Sequence, residues 1–163
     1  MYTKYIPVYT MFIYKIVKIF QKHKIKFAIV GGYAVALHGA VRGTVDLDIV
    51  LELDKKSFIA AEAALKSIGL VSRLPVDGRK VFDFRLEYIK DKNLIAWSFW
   101  NPNNPVELID IILTYNLKGH KVKNIKSEGI KLPILSIDEL IKMKRQSARV
   151  QDLEDVKALE KIK

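Results

Sequence analysis

The residues best suited to chemistry lie between positions 27 and 53, where two glycines precede two aspartates. A short apolar stretch, residues 26–30, runs directly into Gly31 and Gly32, and residues 33–38 have the composition of a short helix. Glycines at a turn between a strand and a helix let backbone N–H groups come close to a phosphate, and the start of the helix adds a partial positive charge. The glycine pair therefore predicts a phosphate-binding turn.

Asp46 and Asp48 form the second part of this pattern. Residues 45–53 alternate between charged and apolar side chains, which predicts a strand that carries both carboxylates on one face. Two adjacent carboxylates repel each other and raise each other's pKa, and a divalent cation between them relieves the repulsion. With a third carboxylate, such a pair can hold the two metal ions that serve in-line nucleotidyl displacement. Arg42 and Thr44, just upstream, are candidates to contact triphosphate oxygens.

The composition limits which metal and which partners are expected. The chain has no cysteine and three histidines, which excludes thiolate sites and disfavours multi-histidine zinc sites, so the carboxylates point to Mg²⁺ or Mn²⁺. The 163 residues carry a formal net charge of +10, which favours phosphate-bearing partners such as nucleotides, nucleic acid or anionic lipids. No uncharged run approaches the ~18 residues that a membrane span needs. We expect a cytoplasmic protein with no membrane partner.

The elements that must position these residues begin with an N-terminal helix. Residues 8–23 have the spacing of an amphipathic helix with a basic outer face, and Pro7 is predicted near its start. Residues 55–68 are rich in alanine and predict a second helix, which ends at Gly69.

The second half of the chain is predicted to contain strands followed by helix. Three segments read as strands: residues 80–88, 94–100 and 106–113. Residues 118–131 are lysine-rich and predict a basic loop or hairpin. Residues 137–162 are strongly helical, and Ser136 with Glu139 forms a capping box at their start.

This order of elements predicts an α+β fold. We expect a mixed β-sheet flanked by helices, with a C-terminal helical segment packed on it. The chain is expected to form a single domain over residues 1–163, with an N-terminal helix in residues 1–25, a catalytic core in residues 27–115 and helices in residues 135–163.

The succession of G-G-Y-A, R-G-T and D-L-D-I resembles the signature of the nucleotidyltransferase superfamily related to DNA polymerase β. The resemblance implies a nucleotidyltransferase-like fold, metal-dependent chemistry and a third carboxylate on a later strand. Asp110, in the apolar run VELIDIIL, is the best candidate for that third carboxylate. Glu107 and Asp83 are alternatives. Many members of the superfamily carry serine at the position of Gly32, so phosphate binding here would rely on backbone amides.

A second resemblance lies in the C-terminal segment. The pattern K-x4-R-x2-D-x2-D, which falls on Lys144, Arg149, Asp152 and Asp155, is similar to that of nucleotidyltransferase-like toxins of the type IV abortive-infection class. The resemblance implies that Lys144 lies at the nucleotide phosphates with Asp152 supporting it, and that Arg149 belongs to the same nucleotide-binding set. A continuous helix would place Lys144, Asp152 and Asp155 on one face. The alternative is that these residues form ordinary ion pairs on a helix surface.

These observations predict a nucleotidyltransferase that moves a nucleoside monophosphate from a nucleoside triphosphate to a hydroxyl acceptor. The acceptor could be RNA such as tRNA, a protein or a small molecule, and the net charge favours RNA. The resemblance to toxins implies toxin-like activity and a cognate antitoxin or other partner protein. The alternative hypothesis is a non-catalytic module on the same fold that binds nucleotide, protein or nucleic acid.

Overall fold

A computed structural model describes residues 8–163, and the side chains of residues 11–163. Pro7, predicted near the start of the first helix, lies outside the described residues. Within residues 8–163 the structure contains seven helices and seven strands. In chain order they are α1 (Val8–Lys22), β1 (Phe27–Val30), α2 (Gly31–Leu37), β2 (Leu47–Leu51), α3 (Lys55–Ser67), β3 (Val71–Ser72), α4 (Gly78–Asp83), α5 (Arg85–Lys92), β4 (Ala96–Asn101), β5 (Asn104–Ile112), β6 (Val122–Ser127), β7 (Ile130–Leu135), α6 (Ile137–Ser147) and α7 (Val150–Ile162).

The described strands form one mixed sheet in the order β3-β4-β5-β2-β1-β7-β6. β1 runs antiparallel to β2, while β2 is parallel to β5 and β1 is parallel to β7. The predicted α+β class, a mixed sheet flanked by helices, is therefore confirmed. The lysine-rich segment predicted as a loop or hairpin contains β6 and the start of its antiparallel partner β7.

The two faces of the central strands differ in chemistry. On β2, Leu47 and Ile49 are completely buried, whereas Asp48 between them points to the other face. The buried face packs against α3, where the ring of Phe58 stacks on Trp97 of β4 with centroids 5.9 Å apart. This layer is a continuous apolar core, and it leaves the opposite face of the same strands free to carry polar groups.

The strand predicted over residues 80–88 is wrong, because this region forms the two short helices α4 and α5. Asp77 begins the first of them, and its carboxylate accepts a hydrogen bond from the backbone N–H of Lys80 at 2.9 Å. Val81 is fully buried, and Phe82 packs edge-on against Phe58. The aspartate cap decides the local structure, although the apolar residues also fit the spacing of a strand.

The C-terminal segment forms two helices, as the expectation of helices in residues 135–163 allows, and they are separated at Ala148, which adopts a left-handed backbone with a φ of 50°. α7 starts at Val150, and Asp152 in its first turn stabilises this start because its carboxylate accepts the backbone N–H of Arg149 at 3.2 Å. The break folds α7 back on α6. Residues of the K-x4-R-x2-D-x2-D pattern therefore meet across a helix–helix corner and not along one helix face.

In the part of the chain that the structure describes, none of the helices has both the length and the apolar character that a membrane crossing requires.

Candidate active site

A cavity of about 410 Å³ opens over the polar face of the sheet, between the end of β1 and the helices α6 and α7. Every site residue that the sequence predicted lines it: Gly31, Gly32, Arg42, Thr44, Asp46, Asp48, Asp110, Lys144, Arg149 and Asp152. Residues from five separate segments of the chain thus converge on one space. Its volume is within the range of small-ligand sites in proteins.

Strand register explains why two of the three carboxylates are adjacent. Asp48 of β2 and Asp110 of β5 are register partners on parallel strands, and Ser98 of β4 is the register partner of Asp110. The Ser98 hydroxyl donates a hydrogen bond to Oδ1 of Asp110. A hydroxyl and two carboxylates therefore form a row across three neighbouring strands. Asp46 lies one residue before β2, which starts two residues later than predicted, and its side chain is exposed.

The carboxyl group of Asp48 is held in an unfavourable environment for an anion. Burial, followed by the negative charges of Asp110 and Asp46, raises its pKa to about 7, although Lys144 and Arg149 partly oppose the shift. Within residues 8–163, the carboxylates of Asp46 and Asp48 accept no hydrogen bond and form no ion pair. The row thus concentrates negative charge that the described residues leave without a direct counterion.

Close packing explains both glycines of the turn. A Cβ atom on Gly31 would lie 2.1 Å from Oδ2 of Asp48, and the backbone there has a φ of 66°, which disfavours any other residue. A Cβ on Gly32 would lie 2.7 Å from Cβ of Thr44. Each glycine lets the turn approach one side chain of the cavity, so the glycine pair and the aspartate strand form a single unit.

A buried group of charges lies on the opposite wall. The Lys144 ammonium is 2.8 Å from Oδ2 of Asp155 and 3.5 Å from Oδ1 of Asp152, and all three side chains are buried. Arg42 extends from the loop before β2 and places its Nε 3.0 Å from Oδ1 of Asp155. These ion pairs join the loop before β2 to the corner between α6 and α7.

Unlike that of Asp48, the carboxylate of Asp152 is stabilised as an anion by hydrogen bonds and nearby cations. Oδ2 of Asp152 accepts hydrogen bonds from Ser147 Oγ at 2.8 Å and from Arg149 Nε at 2.9 Å. Burial alone would raise the pKa of Asp152, but these hydrogen bonds and the nearby cations outweigh it and lower the pKa. The Arg149 side chain is 74% exposed, so it remains accessible from the cavity mouth.

The carboxylate row is suited to a hard divalent cation whose remaining ligands come from the substrate. No group of three or more histidine, cysteine, aspartate or glutamate side chains is preassembled around a metal position among residues 8–163. Mg²⁺ characteristically uses one or two carboxylates together with substrate phosphates and water, and it rarely needs a cage made of protein alone. The pair Asp48 and Asp110, with the raised pKa of Asp48 and the exposed Asp46 beside it, fits that kind of site.

The two alternative third carboxylates lie away from the cavity. Asp83 ends α4 and pairs with Lys55 at 2.8 Å. Glu107 accepts a hydrogen bond from Asn101 at 2.8 Å and lies 3.6 Å from Lys15. Of the three candidates, Asp110 alone lines the cavity.

Sequence reasoning missed three kinds of residue at this site. Ser98 lies in the apolar run AWSFW, where its alternation with Trp97 and Phe99 signals a polar strand face. Asp155 belongs to the quoted C-terminal pattern, yet it had no assigned role. The apolar wall formed by Leu140 and Met143 of α6 has no signal beyond ordinary helix amphipathicity.

No protein-family model matches the chain, and no curated protein matches it in sequence. Solved structures do match its fold. ANT(2″)-Ia in complex with adenylyl-2″-tobramycin is 13% identical, with a TM-score of 0.60 over 93% of this chain and 91% of the other. The lincosamide antibiotic adenylyltransferase LnuA, bound to lincomycin, is 16% identical, with a TM-score of 0.59 over 94% and 97%.

A third match is a Thermotoga maritima protein assigned provisionally as a nucleotidyltransferase, 15% identical with a TM-score of 0.62 over 93% of this chain and 91% of the other. These likenesses cover nearly the whole of each chain. At such low identity they show the fold and no more. The chain has a nucleotidyltransferase-like fold.

Proposed function

We propose that this protein is a nucleotidyltransferase that moves a nucleoside monophosphate from a nucleoside triphosphate to a hydroxyl group. The observation that supports it best is the row of Asp48 and Asp110 on neighbouring strands, packed directly against Gly31. This arrangement combines a carboxylate pair in need of a cation with a backbone turn that can approach a phosphate. The nucleotidyltransferase-like fold is consistent with the same chemistry.

The proposed metal ligands are Asp46, Asp48 and Asp110, and the proposed ion is Mg²⁺ or Mn²⁺. A bound ion would neutralise charge on the triphosphate and on the leaving pyrophosphate. Asp110 is held in place by Ser98, and Asp48 by the strand register, so the ligands need little rearrangement. Asp46, exposed at the entrance to β2, completes the set from the loop side.

The proposed triphosphate site faces this row. The backbone of Gly31 and Gly32 and the hydroxyl of Thr44 border one side of the cavity, and Lys144 and Arg149 border the other. Arg149 is the exposed cation and is suited to direct phosphate contact. Lys144 and Arg42 are held by Asp155, so they supply positive potential from fixed positions.

In the proposed reaction the acceptor oxygen attacks the α-phosphorus of the nucleotide in line with the leaving group. A new P–O bond forms to the acceptor, the bond to the bridging oxygen of the β-phosphate breaks, and pyrophosphate leaves. The hydroxyl proton passes to a carboxylate of the cavity. Positioning and charge neutralisation provide most of the rate enhancement.

The acceptor is proposed by chemical class. The partly exposed Met143 and the exposed Ile95 line the cavity with apolar surface for the body of a small organic molecule, and two structures of the same fold carry an antibiotic or its adenylyl derivative. We therefore place a small hydroxyl-bearing molecule first. RNA such as tRNA and a protein hydroxyl are the other acceptor classes to test.

A toxin-like role with an antitoxin partner is the finer part of the proposal, and it depends on the resemblance of the C-terminal pattern. If the role holds, expression of the wild-type chain should arrest growth, and Asp48→Asn should relieve the arrest. Growth unaffected by a wild-type chain that is active in vitro would contradict the toxin role alone.

The decisive experiment supplies each α-labelled nucleoside triphosphate with Mg²⁺ and, in separate arms, total RNA, lysate protein or a panel of small hydroxyl compounds. We expect label transfer in one arm and its loss in the double variant Asp46→Asn with Asp48→Asn. Asp83→Asn is the matched control, since it removes an exposed acid outside the cavity. Full activity in the double variant would overturn the mechanism, and nucleotide binding without transfer to any acceptor would favour a non-catalytic module.

A further inference from the structure

A second concave surface lies at the opposite end of the sheet from the candidate active site. β1 and β2 pair from Val30 with Asp48 at the active-site end to Phe27 with Leu51 at the other end, about 10 Å along the strands. Two cavities of about 350 and 190 Å³ open at that far end. Both are lined by Lys26 and Glu52, so they adjoin and form one groove.

The groove has a basic rim. Lys24, Lys26 and Lys56 line it, and two further lysines, Lys22 and Lys118, are each flanked in the chain by residues that line it. All of these lysines are exposed. They come from three separate segments: the end of α1 with the residues up to β1, the start of α3 and the loop before β6. We call this concave surface, with its rim of lysines, the basic groove.

Acidic residues at this end do not balance the lysines. Glu52 lies 3.7 Å from Lys26, and Asp54 is occupied in capping α3 through the backbone N–H of Ser57 at 2.7 Å. Within residues 8–163, Lys22, Lys24, Lys56 and Lys118 form no ion pair. Unpaired lysines around a concave surface attract a polyanion.

The groove also offers groups that suit nucleobases. Gln21 and Asn124 line it with amide side chains, and the His120 ring lies at its edge. That ring is fixed, because its Nδ1 is 2.7 Å from Oε2 of Glu139 and it packs against Tyr115 with centroids 4.9 Å apart. A fixed planar ring and amides are the groups on which single-stranded bases stack and form hydrogen bonds.

The same features argue against a membrane surface. Val122 is the one exposed large apolar side chain that lines the groove in the described part of the chain, so the groove lacks apolar groups that could insert into lipid. We infer that the basic groove binds single-stranded nucleic acid, with the lysines on the phosphates and the planar and amide groups on the bases. This site is separate from the candidate active site and does not depend on the proposed function.

The test measures binding of a fluorescein-labelled 20-nucleotide RNA of mixed sequence by anisotropy, across a range of salt concentrations. The first variant is Lys22→Glu with Lys24→Glu and Lys56→Glu. Its matched control is Lys90→Glu with Lys92→Glu and Lys161→Glu, which makes the same change in net charge at exposed lysines away from the groove. Lys→Gln versions of the first variant, checked by thermal unfolding, replace it if the Glu version does not fold.

We expect the groove variant to lose at least 30-fold in affinity and to reduce the dependence of log K on log salt by about 2, whereas the control loses a few-fold. Equal losses in both variants would overturn the proposal, because the effect would then arise from net charge alone. Displacement of the RNA by polyglutamate as readily as by unlabelled RNA would overturn it in favour of an acidic protein partner. The double variant Asp48→Asn with Asp110→Asn should bind RNA like the wild type, so a failure of the proposed catalysis would leave this result unaffected.

Discussion

The two faces of the same three strands perform different tasks in this molecule. On one face Ile49, Ile111 and Trp97 are completely buried, and the core they form is apolar throughout. On the other face, one residue earlier in β2 and in β5, Asp48 and Asp110 carry charge into a cavity. Because the side chains of a strand alternate, the packing of one face fixes the positions of the other.

The comparison shows how a small domain can hold an unfavourable site. The charge of Asp48 is disfavoured by its own environment, since burial and like charges raise its pKa to about 7. The positions of Asp48 and Asp110 are fixed by packing on the other face of the sheet, in the apolar layer under α3 where Phe58 stacks on Trp97. Stability should therefore depend on the apolar face, and chemistry on the polar face.

The largest expected effect comes from opening the apolar face with Phe58→Ala. The ring is fully buried, and its removal leaves a cavity beside Trp97, so we expect the free energy of unfolding to fall by about 3–5 kcal/mol. Urea denaturation measures the change. Phe84→Ala is the matched control, because that ring is 50% exposed and its loss should cost less than about 1 kcal/mol. Similar losses at the two positions would contradict the division between the faces.

The next effect comes from the charge on the polar face. Because the pKa of Asp48 is raised to about 7 in the folded state, the native protein binds more protons than the unfolded chain between about pH 4 and pH 7. This carboxyl should therefore lower stability as the pH rises through that window, by a few kcal/mol in total, with no further change above it. Asp48→Asn should remove that part of the slope.

Thermal or urea unfolding of both proteins between pH 4 and pH 8 measures this difference. The wild type should lose stability relative to Asp48→Asn as the pH rises, and Mg²⁺ at pH 8 should recover part of the loss in the wild type alone. Asp83→Asn, at an exposed carboxylate, is the control for a general effect of removing an acid. Parallel stability curves for the wild type and Asp48→Asn would contradict the unfavourable environment assigned to this group.

Local pattern predicted much of this architecture. The strand ending at Gly31 and the aspartates of the next strand follow from short-range alternation, and the mixed sheet follows from the order of the elements. Pairing Asp48 with Asp110, however, needs the register of two strands about 60 residues apart, and no local signal fixes that register. The resemblance to known nucleotidyltransferases supplied the expectation of a third acid, and the fold brings Asp110 to the cavity.

Aspartates at helix starts decide two features that local spacing leaves open. Asp77 caps a helix in a segment whose apolar spacing also fits a strand, and Asp152, in the first turn of α7, accepts the backbone N–H of Arg149 after Ala148 turns left-handed. A cap contributes one hydrogen bond. Whether a helix forms after it depends on whether the following apolar residues can pack into the core. The break at Ala148 nevertheless brings Lys144 to Asp152 and Asp155, a contact that a continuous helix was also expected to give.

The smallest effect comes from two serines, one on each face, whose hydroxyls form hydrogen bonds with different partners. Ser98 donates to Asp110 on the polar face, whereas Ser72 accepts from Nε1 of Trp97 on the apolar side at 2.8 Å. Ser98→Ala should lower kcat of nucleotidyl transfer about 10-fold, the value of a hydrogen bond to a carboxylate, with little change in stability. Ser98→Thr, which keeps the hydroxyl on a β-branched side chain suited to a strand, should restore most of the rate. Ser72→Ala should instead lower stability and leave kcat unchanged, and a loss of kcat in both alanine variants would mean that the two faces are not independent.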